Sequence, residues 1–313
     1  MKLADKLDIA IKATETTPAE EENGYILNGK TYRAYMTNQK WQVFCDSMTE
    51  QARREYREGS GGELEETSTP PKMASYGSSS RMLYLLSRNT DGFHFETKLR
   101  TSFGGPGANL DGFAEQDDRY LFVEAKCREP YHAPHSESNP IAVSRAYSEL
   151  YEHINNTMYG SLLCHMQPHE TNATRMKVTY SCDGEPIQYF DIKQMICHLL
   201  GIAVAVLEGR LPDKRIDFLY LIYDPTELNM EPTDKAEIEA IYDRLREECI
   251  SIDFATLFVT LLTYLRDQRG IGTLSDSEIG RYLFDFTFTV CDPQFYQLLS
   301  VDGQAPLLFD SKE

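Results

Sequence analysis

The sequence predicts an α/β domain with a mixed, centrally placed sheet and flanking helices. Three observations lead there: strand candidates follow one another closely between residues 93 and 126, a long apolar helix candidate covers residues 192–207, and an apolar strand candidate covers residues 216–223. With 41% hydrophobic, 11% aromatic and 26% charged residues among 313, the chain has the composition of a folded protein with one large domain or two smaller ones.

The elements follow in order. Residues 1–11 alternate Lys, Asp and apolar residues as a short first helix, without the apolar core or cleavage site of a secretion signal. Residues 13–23, with Glu20, Glu21 and Glu22, read as a solvated acidic linker. A helical stretch over residues 41–57 is closed by Gly59, Ser60, Gly61 and Gly62, and a polar loop then runs through Pro70 and Pro71. Ser78, Ser79 and Ser80 offer a cap for a helix carrying Met82, Leu83, Leu85 and Leu86. Strands are expected at residues 93–99, 110–115 and 120–126, separated by a flexible loop at 102–107 and a turn at Gln116, Asp117 and Asp118. The last two are close enough to form a hairpin.

A loop at residues 130–140 precedes helical sequence over 142–158. The 192–207 helix ends at Gly209 and Pro212, and the 216–223 strand at Asp224 and Pro225. From residue 234 the chain is mainly helical, with Ile238, Ile241, Leu245 and Cys249 at helical spacing. The organisation is therefore an N-terminal helical and linker segment (1–58), a core (59–225) and an acidic, mainly helical C-terminal region packed on it (226–313).

Several function classes drop out. A net charge of −18 excludes coating polyanions through bulk basicity, but the excess is uneven: residues 1–70 carry −4, 71–150 carry −1, 151–225 carry −3 and 226–313 carry −10. The longest nearly uncharged runs fall short of the roughly 20 apolar residues of a membrane helix. Seven scattered cysteines without a CxxC pair suit reduced thiols in a cytoplasm. Cys127, His132, His135, His165 and His169 match no zinc spacing, and no phosphate loop ending in Gly-Lys-Ser/Thr is present.

The chemistry-bearing stretch is residues 120–126. Period-two alternation puts Glu124 and Lys126 on one face with Tyr120 and Phe122, and Leu121, Val123 and Ala125 on the other. Asp111, on the preceding strand, comes near Glu124 across the hairpin. Two carboxylates repel unless a cation joins them, and hard oxygen donors suit Mg²⁺. Such a site can hydrolyse a phosphodiester, with Lys126 orienting the attacking water and offsetting negative charge.

Leu110-Asp111, a twelve-residue gap and Glu124-Ala125-Lys126 resemble the signature of the PD-(D/E)xK nuclease superfamily, to which many restriction endonucleases belong. Gly61-Gly62-Glu63-Leu64, Pro71-Lys72-Met73, Ser78-Ser79-Ser80-Arg81 and Phe95-Glu96 add a narrower likeness to a group of bacterial restriction endonucleases, over roughly residues 59–225. The resemblance implies a restriction-endonuclease-like α-β-β-β-α-β core and a Mg²⁺-dependent DNA endonuclease, with Mn²⁺ able to substitute. It implies metal ligands at Asp111 and Glu124, a catalytic lysine at Lys126, an additional acid at Glu96 and a glutamine, Gln194, reaching back from the later helix. His198 stands where one branch carries tyrosine, and Leu110 where the name-giving proline would be. Lys98, Arg100 and Arg128, at strand ends, are expected to bind substrate phosphates. Double-strand cutting with one site per chain implies a homodimer. The rival expectation is a nuclease-fold binding or regulatory module that no longer cuts.

Overall fold

The computed structural model describes residues 2–291 apart from 18, 19, 21, 60, 105, 106, 133, 137, 159–161 and 169–173. The N-terminal part contains α1 (Leu3–Glu15), the hairpin β1 (Tyr25–Leu27) and β2 (Lys30–Tyr32), α2 (Asn38–Ser47), α3 (Glu50–Glu58) and α4 (Ser79–Ser87). Then come β3 (Phe93–Leu99), β4 (Ala108–Glu115), β5 (Arg119–Lys126), β6 (Ile141–Ser144), α5 (Ser148–Thr157), β7 (Leu163–Pro168), β8 (Arg175–Cys182) and β9 (Glu185–Ile187). The chain continues through α6 (Ile192–Leu207), β10 (Arg215–Tyr223), α7 (Pro232–Ser251), α8 (Phe254–Arg269), α9 (Asp276–Ile279) and β11 (Phe284–Cys291).

The fold is mixed α/β. Five strands form the central sheet in the order β11-β10-β5-β4-β3. β3, β4 and β5 are an antiparallel meander, and β10 runs parallel to both β5 and β11. A second sheet, β6-β8-β7 with β9 on β8, fills the stretch between β5 and α6.

Two cores sandwich the central sheet, and β5 and β10 show why. Tyr120 and Phe122, with Ile216, Phe218, Tyr220 and Ile222, pack with α6, α8 and the second sheet. Leu121, Val123 and Ala125, with Leu219, Leu221 and Tyr223, pack with α1 to α4. Strands buried on both faces read as continuous apolar runs, as here. Helix α6 is apolar nearly all round and buries thirteen of its sixteen residues, the pattern of a central helix. It lies close on the sheet at Gly201, where a Cβ would sit 2.8 Å from Leu99 Cβ and 2.9 Å from Ala108 Cβ.

Several expectations need correction. The first helix continues to Glu15, into the expected linker. The stretch read as one helix over 41–57 is two, restarted by Thr49, whose side chain accepts the Ala52 N–H at 3.2 Å. Ile141–Ser144 is a strand, and helix α5 starts only at Ser148. The C-terminal region contributes an edge strand, β11, as well as helices. The N-terminal segment is the packing layer for one face of the sheet. No single described helix is long and apolar enough to cross a membrane; α7 and α8 pass that test only as a pair bent by 53°.

Candidate functional site

The site grows from a change of face in the meander. In β3, Phe93 and Phe95 belong to the core against α4, whereas Leu99, of the same parity, belongs to the core against α6. In β4, Ala108 and Leu110 face α6 while Ala114 faces α4. Regular strands keep residues of one parity on one face, so both strands turn over in between. The turnover falls at Glu96, whose φ of 52° lies in the left-handed region, and at Asp111. Left-handed backbone at a non-glycine residue costs about 1–3 kcal/mol, and Glu96 is the residue at which β3 bears it.

The pairing of β4 with β5 runs from Glu115↔Tyr120 to Gly112↔Val123. Beyond it the Asp111 side chain replaces the backbone partner: its Oδ2 accepts the Ala125 N–H at 2.8 Å. This ties Asp111 to the segment carrying Glu124 and Lys126. Lys126 Nζ donates to Glu124 Oε1 at 2.6 Å and to Gln194 Oε1 at 2.7 Å. One helical turn beyond Gln194, His198 brings Nε2 to 2.9 Å from Glu124 Oε2, off line for a hydrogen bond. Asp191 caps α6, its Oδ1 accepting the Gln194 N–H at 2.9 Å, which fixes the first turn that presents Gln194.

A second set of acids approaches from the α3 side. Glu96 Oε2 accepts from Asn109 Nδ2 at 2.6 Å. Gly59, just past α3, leaves room for it: a Cβ there would lie 2.8 Å from Glu96 Oε2. Glu63 is buried beside Lys72, 3.6 Å away. The hydroxyl of fully buried Tyr56 feels Glu96, Asp111 and Glu63 together, so these groups share one neighbourhood.

The electrostatics divide the acids. Burial, then the neighbouring Glu124 charge, pushes Asp111 well above the usual carboxylate range. Burial is also the main cause of upward shifts at Glu96 and Glu63. Glu124 is 1% exposed, and burial works against its charge, yet Lys126 and His198 outweigh it and hold the carboxyl at about 2. Lys126 is held well above the ordinary amine range because Glu124 and Asp111 overcome its own burial. All three upward shifts come first from burial, with a neighbouring carboxylate adding to each.

Mg²⁺ is the ion implied by the family resemblance. Carboxylate oxygens are its preferred protein donors, and it uses one or two of them while keeping several waters. Asp111 and Glu124 supply such oxygens, and Asp111 is the group whose charge a cation would restore. The donor set fits the ion. As the side chains stand, no three His, Cys, Asp or Glu groups among the described residues converge as a metal cage.

The remaining sequence candidates divide. Lys98 is exposed and donates to the Glu58 carbonyl at 2.6 Å, so it caps the C-terminal end of α3 beside Glu96. Arg100 is exposed in an open groove formed by residues 98–102, 104 and 107. Arg128 is engaged elsewhere: its Nη1 donates to the buried Asp8 of α1 at 2.6 Å, among residues that pack α1. His169 lies outside the described residues, and Cys127 is buried against the N-terminal layer. Sequence reasoning gave His198 no role, and it weighed Glu63, within Gly61-Gly62-Glu63-Leu64, both as the start of a loop and as a site residue. For His198 the signal is its i+4 spacing from Gln194. No protein-family model, no curated protein and no solved structure matches this chain.

Proposed function

We propose that this chain is a Mg²⁺-dependent DNA endonuclease of restriction type, on a restriction-endonuclease-like core. The observation that carries the reading is the meeting of Asp111, Glu124 and Lys126 where β4 leaves β5, with Gln194 on Lys126. The order α4, β3–β5 meander, α6 and parallel β10, with β6–β9 and α5 inserted before α6, supports the reading.

Asp111 and Glu124 would hold Mg²⁺, which would supply charge neutralisation at the phosphate and a bound water of lowered pKa. The chain's own groups do the rest. Lys126, kept protonated beside Glu124 and Asp111, gives two of its three N–H donors to Glu124 and Gln194 and has the third for the entering water, while its charge offsets that growing on the phosphate. Gln194 Oε1 holds the Lys126 amine in line, and His198 lies against the far oxygen of Glu124. Glu96, close enough to feel the Glu124 charge, would serve as a water-held outer ligand or proton acceptor.

Incubation of purified protein with supercoiled plasmid tests this. Cleavage is expected with Mg²⁺ or Mn²⁺, none with EDTA, and none from Lys126→Ala; full activity in that variant would falsify the assignment.

One observation favours a second reading, a nuclease-fold binding or regulatory module. Glu124 is clasped by both Lys126 and His198, an arrangement that serves a purely structural strand end as well. Millimolar Mg²⁺ discriminates: a ligand bound only by the folded state raises the melting temperature by mass action. An unchanged Tm supports the module.

A further inference from the structure

The outer face of α3 is conspicuous in a protein of charge −18. Its inner side docks on β3: Ala52 and Tyr56 are buried, Gln51 Nε2 donates to the Phe93 carbonyl at 3.2 Å, and Glu55 Oε2 accepts the Phe95 N–H at 2.9 Å. Arg53, Arg54 and Arg57 point outward, bordering one shallow groove with Glu50 and Glu58. Arg54 and Arg57 are exposed and Arg53 half-buried. Glu50 precedes Arg54 by four residues, the spacing of a helical ion pair. Yet none of the three guanidiniums forms a salt bridge with a described residue, and Glu55 is spent on His94 and the β3 backbone.

These arginines are also well placed relative to the site. Helix α3 runs alongside β3 in the same direction, so its C-terminal end arrives at Lys98 and Glu96. The exposed cations Arg54 and Arg57 thus lead along the helix to Lys98, and Arg100 continues the strip at the end of β3. Arg53 and Arg57 are separated by about 6 Å along the helix axis, at about 1.5 Å per residue, close to two steps of about 3.4 Å along one DNA strand.

We infer that Arg53, Arg54 and Arg57 form a docking surface for the phosphodiester backbone of duplex DNA, which holds the strand flanking the scissile bond against α3. The inference rests on the nuclease reading for its ligand, and it adds an anchor in the N-terminal segment outside the 59–225 core. Guanidiniums suit this task because each offers a planar fork of donors to phosphate oxygens. The surface makes no base contact and sets position and salt dependence, with sequence read elsewhere.

The test is binding of a fluorescently labelled duplex in Ca²⁺ buffer across a salt series. It compares wild type, Arg53→Gln/Arg54→Gln/Arg57→Gln, and a control with Lys30→Gln/Arg175→Gln/Arg210→Gln on other elements. Glutamine keeps helix propensity. The α3 variant should lose about 2–3 from the magnitude of the slope of log K against log salt, at about 0.9 per phosphate contact. Its affinity near 0.1 M salt should fall about ten-fold or more, and the control should lose much less. Equal losses in variant and control, an unchanged slope, or dependence on the arginines for RNA duplex but not for DNA overturns the inference. Cutting separates this from the underlying reading. A wild type that binds with the expected slope but cuts nothing in Mg²⁺ removes the nuclease and keeps the surface. A wild type that cuts while the α3 variant binds unchanged removes only the surface.

Discussion

Two buried ion pairs flank the end of β5, and they are opposites. Glu124 meets Lys126 on the α6 side, and Asp8 meets Arg128 on the α1 side, each at 2.6 Å. Both carboxylates are almost fully buried, at 1% exposure. For Glu124, Lys126 and His198 overcome burial, and the group is held at about 2. For Asp8, burial wins over Arg128, and the group is pushed up to about 6. Distance alone therefore does not set the state of a buried carboxylate; the number of its polar partners and the solvent access of each do. Arg128 keeps 33% of its side chain exposed and shares its field with water, whereas Lys126 keeps 11%. The first pair joins β5 to α6 through Gln194, and the second docks α1.

The largest expected effect breaks this contrast on the functional side. Lys126→Met should lower cleavage by about 10²–10⁴-fold, the range of a positioned proton-transfer or charge-stabilising group. Arg128→Met should leave the cleavage rate per folded molecule within about two-fold. Parallel plasmid assays check both; equal losses would mean that Arg128 contacts substrate after all.

Next in size is stability. Arg128→Met leaves Asp8 buried and uncompensated, a cost of about 2–3 kcal/mol at pH 8 after discounting for the solvent around Arg128. The loss should shrink at pH 5, where Asp8 is protonated. Urea melts at the two pH values read it.

The pH dependence sharpens the comparison further. The folded pKa of Asp8, about 6, lies above its ordinary 3.8, so its contribution is fully present below pH 3.8 and lost as pH rises through about 6. The loss amounts to about 3 kcal/mol, at about 1.4 kcal/mol per pKa unit. Glu124, depressed to about 2, does the reverse: its contribution is present above about 4.5 and lost only as pH falls through 2. Between pH 5 and 8, Asp8→Asn should therefore flatten the stability profile, while Glu124→Gln should shift it without changing its slope. A profile unaltered by Asp8→Asn would contradict the assignment of its charge.

The smallest effect concerns Glu96. Replacing it with glycine removes a buried acid and relieves the left-handed backbone, so Tm should rise by a few degrees, corresponding to about 1 kcal/mol or slightly more. Activity should fall in the same variant, as expected where strain is kept for function. A lower Tm would mean that Glu96 is a structural residue held by Asn109.

Much of this was legible in the sequence because the signals were local. The bounds of α6 match the expectation of 192–207, and β3 that of 93–99. The two faces of β5 follow from alternation alone. Strand β11 carries an equally clear period-two pattern in Phe284, Phe286 and Phe288, yet its place beside β10 depends on parallel pairing across about 70 residues. In the second sheet Ile141–Ser144 and Glu185–Ile187 are too short to carry a period, whereas Arg175–Cys182, on which they pair, does alternate and is a strand the sequence reading left out. The site divides the same way. Asp111, Glu124 and Lys126 were readable from spacing, whereas the turnover at Glu96 and the approach of Glu63 arise only when β3 meets α3 and α4. The ion pair of Arg128 was not legible for a similar reason, since its partner lies 120 residues away in α1.

The central claim is that the acids where β4 leaves β5 hold a divalent cation. Anomalous scattering from crystals grown with Mn²⁺ tests it most directly. The account predicts a manganese peak bound jointly by the carboxylates of Asp111 and Glu124 and lost in Asp111→Asn. Manganese elsewhere, or none at that position at millimolar concentration, would contradict it.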